Sequence, residues 1–204
     1  MLRKPFDSHG PLCHGDPMPN LRRFLGRRSS HDGGSGRPRT PRRAARTAVI
    51  APDGAVFLLR SDNSEVGVHW TMPGGGLEAG ELPVDGARRE LAEETGWTDL
   101  ATGRLLCTWE HDFTWHGIPV RQHEHIFVTT GPRRDPVGDV SAAHAVDRIL
   151  GWRWWTPADL ADPDADALWP PQLPALLVAP EAAPVHLGYV PNGSPNSRPA
   201  GPST

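Results

Sequence analysis

Apolar positions between residues 44 and 178 fall into short runs whose period changes along the chain. Val49 and Ile50, then Val56 to Leu59, are strand formers separated by the turn signal Pro52-Asp53-Gly54, so this stretch predicts a β-hairpin. His69–Met72 reads as a short strand entering a glycine-rich loop. The period then changes. Val84, Ala87, Leu91 and Thr95 recur at helical spacing and predict a helix over Pro83–Thr95, stopped by Gly96. Strand patterning returns at Arg104–Trp109, Phe113–Trp115 and Glu124–Thr130, with His116-Gly117 at a hairpin turn. GWRWWTPADL predicts a strand leading into a helix that Thr156 caps and Pro157 begins. A last helix is expected over Pro171–Leu177, although Pro174 falls inside it.

Outside residues 44–178 the pattern is lost. Residues 1–43 contain GRRSSHDGGSGRPRTPRR and read as a disordered basic tail. Residues 179–204 read as a disordered Pro-rich tail. The 22 Gly and 23 Pro of the 204 residues, and a hydrophobic share of only 37%, fit one domain flanked by two such tails. No apolar run approaches the ~18 residues of a membrane span, and no apolar segment follows the basic N-terminus as in a signal peptide. A cytoplasmic location without a membrane partner is therefore expected. Cys13 in a tail and Cys107 in a strand do not make a disulfide framework, which agrees with a reducing compartment.

The net charge of −3 hides an asymmetry. Residues 1–46 hold 11 Lys and Arg against 3 Asp and Glu, leaving 10 basic and 21 acidic residues for the rest. An acidic body does not attract nucleic acid by simple charge, so nucleic acid is not the expected partner. Gathered carboxylates instead suit a hard divalent cation.

The helix concentrates them. Glu90, Glu93 and Glu94 lie at i, i+3 and i+4 and share one face, where like charges repel. A solvated acidic face is the alternative reading, but the flanking residues favour a site. Gly74, Gly75 and Gly76 allow a backbone to approach a ligand closely, and Arg89, four residues before Glu93, can orient its carboxylate. The segment Gly74–Trp97 resembles the Nudix box, G-x5-E-x7-R-E-U-x-E-E-x-G-U with U bulky and apolar. Gly75, Glu81, Arg89, Glu90, Leu91, Glu93, Glu94, Gly96 and Trp97 fill every specified position. Three residues depart from common usage: Trp97 is bulkier than the usual aliphatic, Leu82 replaces a capping Ser or Thr, and Gly86 lies inside the helix.

The resemblance, covering residues 44–178, implies an α/β fold: the Nudix α/β/α sandwich, with a mixed sheet and a loop–helix–loop that holds metal. It implies a hydrolase that cleaves a phosphoanhydride bond using Mg²⁺ or Mn²⁺. Glu90, Glu93 and Glu94 would ligate the metal, helped by the carbonyl of Gly74 or Gly75. Arg89 would orient the carboxylates, and Glu81 would stand behind them or reach the metal through water. The family often adds a general base from outside the box; Glu124 is the first choice here and Glu110 the second. Alternating His111, His123 and His125 offer a transition-metal reading, against ordinary polar strand positions. Trp70, Trp109 and Trp115 flank the expected site and suit stacking on a base, with core packing as the other reading. The substrate is expected to be a small nucleotide-like molecule, a nucleoside di- or triphosphate or a nucleoside diphosphate derivative; signatures of narrower branches are absent. Homodimerisation is left open. Two rival readings remain: a nucleotide-binding sensor without turnover, and an RNA 5′ pyrophosphohydrolase that uses the basic arm.

Overall fold

The computed structural model describes residues 38–162, 164, 166–178 and 183–191. Most of the two expected tails, and Cys13, lie outside these residues. Nine strands form one mixed sheet: β1 (Thr40–Ile50), β2 (Val56–Asn63), β3 (Gly67–Thr71), β4 (Gly74–Gly76), β5 (Leu105–Trp115), β6 (Ile118–Thr130), β7 (Ile149–Trp155), β8 (Leu168–Trp169) and β9 (Val185–Tyr189). The order is β8-β3-β2-β1-β6-β5-β9, with β4 paired to β1 and β7 to β2. β1 runs parallel to β6, β3 to β8 and β5 to β9; the other pairings are antiparallel.

Alternate residues of the central strands feed two apolar layers. Val49, Phe57 and Leu59 meet Leu91 and Trp97 on one face. Ala48, Val56 and Leu58 meet Trp109, Ile126, Trp155, Leu160 and Leu173 on the other. Burial on both faces explains why these strands read as near-continuous apolar runs. Helix α1 (Pro83–Thr95) covers the first face. The short helices α3 (Pro157–Ala161) and α4 (Leu173–Val178) contribute Leu160 and Leu173 to the second. α2 (Ser141–Val146), which the sequence pattern did not suggest, packs near β7 and α1. The architecture is the expected α/β/α sandwich. No helix among the described residues is long and apolar enough to cross a membrane.

Local chemistry sets the boundaries. Thr156 caps α3 in a reciprocal capping box with Asp159. Gly96 ends α1 in the left-handed region at φ 71°, its N–H donating to the Ala92 carbonyl. Leu82 supplies no cap, and Pro83 opens the helix instead. Gly86, a costly residue by helix propensity, has a packing reason: a Cβ there would stand 2.4 Å from Leu77 Cδ2.

Several boundaries differ from the sequence reading; β6, for one, begins at Ile118 rather than Glu124. β1 begins at Thr40 rather than Ala44, because its polar first residues pair parallel with Val120–His123 of β6. β5 is one continuous strand, since the polar Glu110-His111-Asp112 between its apolar halves still pairs with β6. There Arg121 donates twice to Asp112, at 2.8 and 3.0 Å. β9 lies inside the stretch read as a Pro-rich tail: it pairs with β5, and Tyr189 donates to Asp112 at 3.0 Å.

Trp97 is 2% exposed and lies 4.7 Å, centroid to centroid, from Phe57. Its indole N–H donates to the Asp135 carbonyl at 3.2 Å. Trp97→Ala should therefore destabilise the fold by about 3–5 kcal/mol. Urea unfolding measures this as a fall in midpoint at constant slope; a loss under about 1 kcal/mol would mean that Trp97 is not a core anchor.

Candidate active site

The acidic face of α1 lies against the glycine strand β4. Glu94 is 2% exposed and its Oε2 accepts the Gly74 N–H at 2.7 Å. Glu90 is 7% exposed, and its carboxylate lies so near Gly75 that a Cβ there would meet both oxygens at 2.7 Å. Only glycine leaves room for this approach. Burial, reinforced by each other's charge and that of Asp147, raises the pKa of Glu94 well above its ordinary value. Burial also raises that of Glu90, against the opposing pull of Arg89.

Arg89 fastens the face. It donates to both oxygens of Glu81 at 2.9 and 3.0 Å, to Glu90 at 2.9 Å, to the Gly76 carbonyl at 2.9 Å and to Glu93 at 3.3 Å. Glu81, bound first by Arg89, is held below the usual carboxylate range. Glu93 stands apart, with its side chain 52% exposed. Among the described residues, no three His, Cys, Asp or Glu side chains already form an ion cage. The donor set still fits a hard cation: two desolvated carboxylates that repel one another beside a glycine backbone that comes within contact of one of them.

Behind this face is a buried polar cluster. Arg46 on β1 donates from Nε to Glu124 Oε1 at 2.7 Å, and from Nη1 to the carbonyls of Met72 and Gly74 at 2.9 and 2.8 Å. Glu124 is 1% exposed and also accepts from Gln122 at 2.5 Å and from the Trp109 indole at 2.6 Å. Burial alone would raise its pKa, but Arg46 and then His111 outweigh that and hold it far below the usual range. Glu124, expected as the general base, thus has partners on both oxygens and is buried. Glu110, the second choice, pairs with His123 of β6 and Tyr189 of β9 and is not among the residues lining the cavity. Neither His123 nor His125 lines the cavity; the two stack on each other at 5.0 Å.

A cavity of about 240 Å³ opens in front of the cluster. Its lining includes Gly74, Gly75, Glu94 and Asp147, the cations Arg42 and Arg46, and the rings of His69, His111, Phe113, Trp115 and Trp169. Burial lowers the His69 pKa to about 4, so its ring is uncharged at neutral pH. Trp70 and Trp109, expected to stack on a base, line the core instead. Trp70 donates to Asp166 at 3.0 Å, and Trp109 stacks on His111 at 4.0 Å. Of the three expected tryptophans only Trp115 reaches the cavity, joined by Trp169.

The sequence reading missed Arg42, Arg46, Asp147, His69 and Trp169. For Arg46 there was a faint signal, the one charged residue within Ala44–Ile50. For Asp147 there was none, since α2 brings it to the site through the His144 side chain, which donates to the Glu94 carbonyl at 2.8 Å.

Comparison with known proteins agrees with this geometry. The NUDIX domain family matches residues 40–176. An RNA pyrophosphohydrolase of Erythrobacter litoralis (strain HTCC2594) is 32% identical over 130 residues, covering 58% of this chain and 78% of that protein. A NUDIX hydrolase from Nitrosomonas europaea superposes with a TM-score of 0.52 at 19% identity, over 76% of this chain and 81% of its own. The MutT protein from Methanosarcina mazei Go1 gives a TM-score of 0.51 at 16% identity, over 70% and 94%. At these identities the two structures bear on the fold alone.

Two predictions follow from the contacts. Gly75→Ala should push the Glu90 carboxylate aside and weaken Mn²⁺ binding, followed by electron paramagnetic resonance, by about ten-fold or more; unchanged affinity would separate Glu90 from the metal. Glu124→Gln leaves Arg46 buried without its counter-charge and should cost about 3–5 kcal/mol at neutral pH. Because the folded pKa of Glu124 is depressed, its stabilisation is fully present above the ordinary value of 4.5 and is lost as pH falls through the folded value. The stability gap between wild type and variant should therefore narrow in strong acid. A gap independent of pH would contradict the pairing.

Proposed function

The chain belongs to the NUDIX family, and on that premise we propose that its substrate is a nucleoside 5′-polyphosphate whose phosphate chain lies against the charged groups of the cavity and whose base lies against its aromatic rings. The protein is a pyrophosphohydrolase that cleaves a phosphoanhydride bond, and the family works with a divalent metal. The observation that carries the substrate reading is that the cavity lining divides between charged groups, among them Glu94, Asp147, Arg42 and Arg46, and aromatic rings, among them Phe113, Trp115 and Trp169. A nucleotide has the same division.

Glu90 and Glu94, with the Gly75 carbonyl, would hold Mg²⁺, with Mn²⁺ as the alternative. When bound, the cation supplies charge neutralisation at the phosphoryl oxygens and makes water a stronger nucleophile. The chain's own residues do the rest. Arg89 holds Glu81, Glu90 and Glu93 in one array, so the carboxylates need no rearrangement. Arg46 and Glu124 fix the glycine backbone against α1. Asp147 is exposed at the cavity and its charge reaches both Glu90 and Glu94, which suits its carboxylate to accept the proton of the attacking water. His69, Phe113 and Trp169 shield the base from solvent. A cytoplasmic setting, where such nucleotides and Mg²⁺ coexist, goes with this reading.

A second reading puts the same 5′-triphosphate on RNA. It is favoured by the Erythrobacter litoralis relative, whose name is RNA pyrophosphohydrolase. The basic arm invoked for it lies almost wholly outside the described residues.

Phosphate release should be measured with and without Mg²⁺ or Mn²⁺, coupled to pyrophosphatase for nucleoside triphosphates and a 5′-triphosphorylated oligoribonucleotide, and to a phosphatase for nucleoside diphosphate derivatives, which yield monophosphates. Metal-dependent turnover is expected, and Glu94→Gln should lower kcat by about a hundred- to a thousand-fold without loss of folding. Faster turnover of the oligonucleotide would select the RNA reading. Full activity in Glu94→Gln would refute the site, and binding without turnover in every case would favour a sensor.

A further inference from the structure

Arg42 differs from the other arginines around the cavity. It stands on β1 four residues before Arg46, so both emerge on the same face of the strand, and its side chain is partly buried on the cavity wall. Arg46, Arg89 and Arg148 each pair with a carboxylate. Among the described residues, no carboxylate lies within ion-pair distance of Arg42. Burial, and then the charge of Arg46, lower its pKa, yet a guanidinium remains protonated at neutral pH.

The side chain is nonetheless fixed. Nη1 donates to Gln122 Oε1, and Gln122 is itself tied to Glu124 at 2.5 Å. The guanidinium carbon lies 4.8 Å from the centre of the Trp115 ring, a cation–π contact at the tip of the β5–β6 hairpin. That tip is held in turn to the β2–β3 turn, where Asn63 donates to the Thr114 carbonyl at 2.8 Å. Glu124, Asp147 and Glu90 act on it only from beyond contact, and a desolvated cation without an ion pair is poorly compensated until an anion joins it. The anion available here is the one the cavity is built for, since the same wall carries Gly74, Gly75 and Glu94.

We propose that Arg42, steadied by Trp115 and Gln122, is the seat for phosphate oxygens of the substrate's polyphosphate chain, and that this seat binds polyphosphate without metal. The inference rests on the cavity being the hydrolytic site. The planar fork of a guanidinium matches two phosphate oxygens at once, which an ammonium does not.

The probe is inorganic tripolyphosphate, titrated calorimetrically into the full chain in the presence of a chelator. Arg42→Gln should weaken its binding on the order of ten- to a hundred-fold, the loss of one or two charge-assisted hydrogen bonds. Arg42→Lys should fall between it and wild type. Trp115→Ala, an exposed substitution that spares the fold, should weaken binding roughly two- to five-fold through the lost cation–π contact. In turnover, Arg42→Gln should raise KM for the preferred nucleotide far more than it lowers kcat, with no change in Tm. Unaltered tripolyphosphate affinity and KM in Arg42→Gln, beside a wild type that turns over nucleotides, would overturn the seat and leave the hydrolase reading standing. A wild type that neither binds tripolyphosphate nor hydrolyses any nucleotide would overturn both.

Discussion

Arg46 donates from one guanidinium to Glu124 on β6 and to the carbonyls of Met72 and Gly74 at the start of the glycine strand. Three parts of the chain that are distant in sequence are thereby held at hydrogen-bond distance. The glycine strand then has a fixed position from which the Gly74 N–H meets Glu94 and Gly75 lies against Glu90. The bridge adds to the backbone pairing of β4 with β1, and together they keep the glycine strand close to the carboxylates of α1. The bridge is stable because both charges are satisfied: Gln122 and Trp109 occupy the rest of Glu124, so the buried pair leaves no unmet demand.

The charged groups of the site thus fall into two kinds. Arg46, Glu124, Arg89 and Glu81 are saturated with partners and serve as scaffold. Glu90 and Glu94 are desolvated carboxylates pushed toward protonation, and Arg42 is a desolvated cation pulled the other way. Glu90 and Glu94 lie against the glycine strand, Glu94 and Arg42 line the cavity, and these charges match those of a cation and a polyphosphate.

The tryptophans show how packing redistributes roles. Trp97, the bulky member of the box, fills the layer between α1 and the sheet with Phe57 and Trp154. Trp109 gives its N–H to Glu124 and its face to His111, which spends both its polar and its stacking capacity inside the protein. Trp169 is far from the box in sequence, yet it lines the cavity because β8 pairs with β3 and sets it beside His69.

The chain's local order determined much of this. Helical spacing put Glu90, Glu93 and Glu94 on one face of α1, and the box residues fixed the family and the partners of Arg89, because a helix turn and a short loop are local geometry. The central strands were legible from their apolar runs, since burial on both faces leaves such a mark. Strand ends that carry polar residues were not: Thr40–Arg43 and Val185–Tyr189 join the sheet by backbone pairing with distant strands, which has no local sequence signature. The same reason separates the site's two halves. The sequence supplied the carboxylates. Whether Glu124 would be a base or an anchor, whether Trp109 or Trp169 would face the cavity, and where Arg42 and Asp147 would stand, depended on which strands became neighbours, and only the tertiary structure decided that.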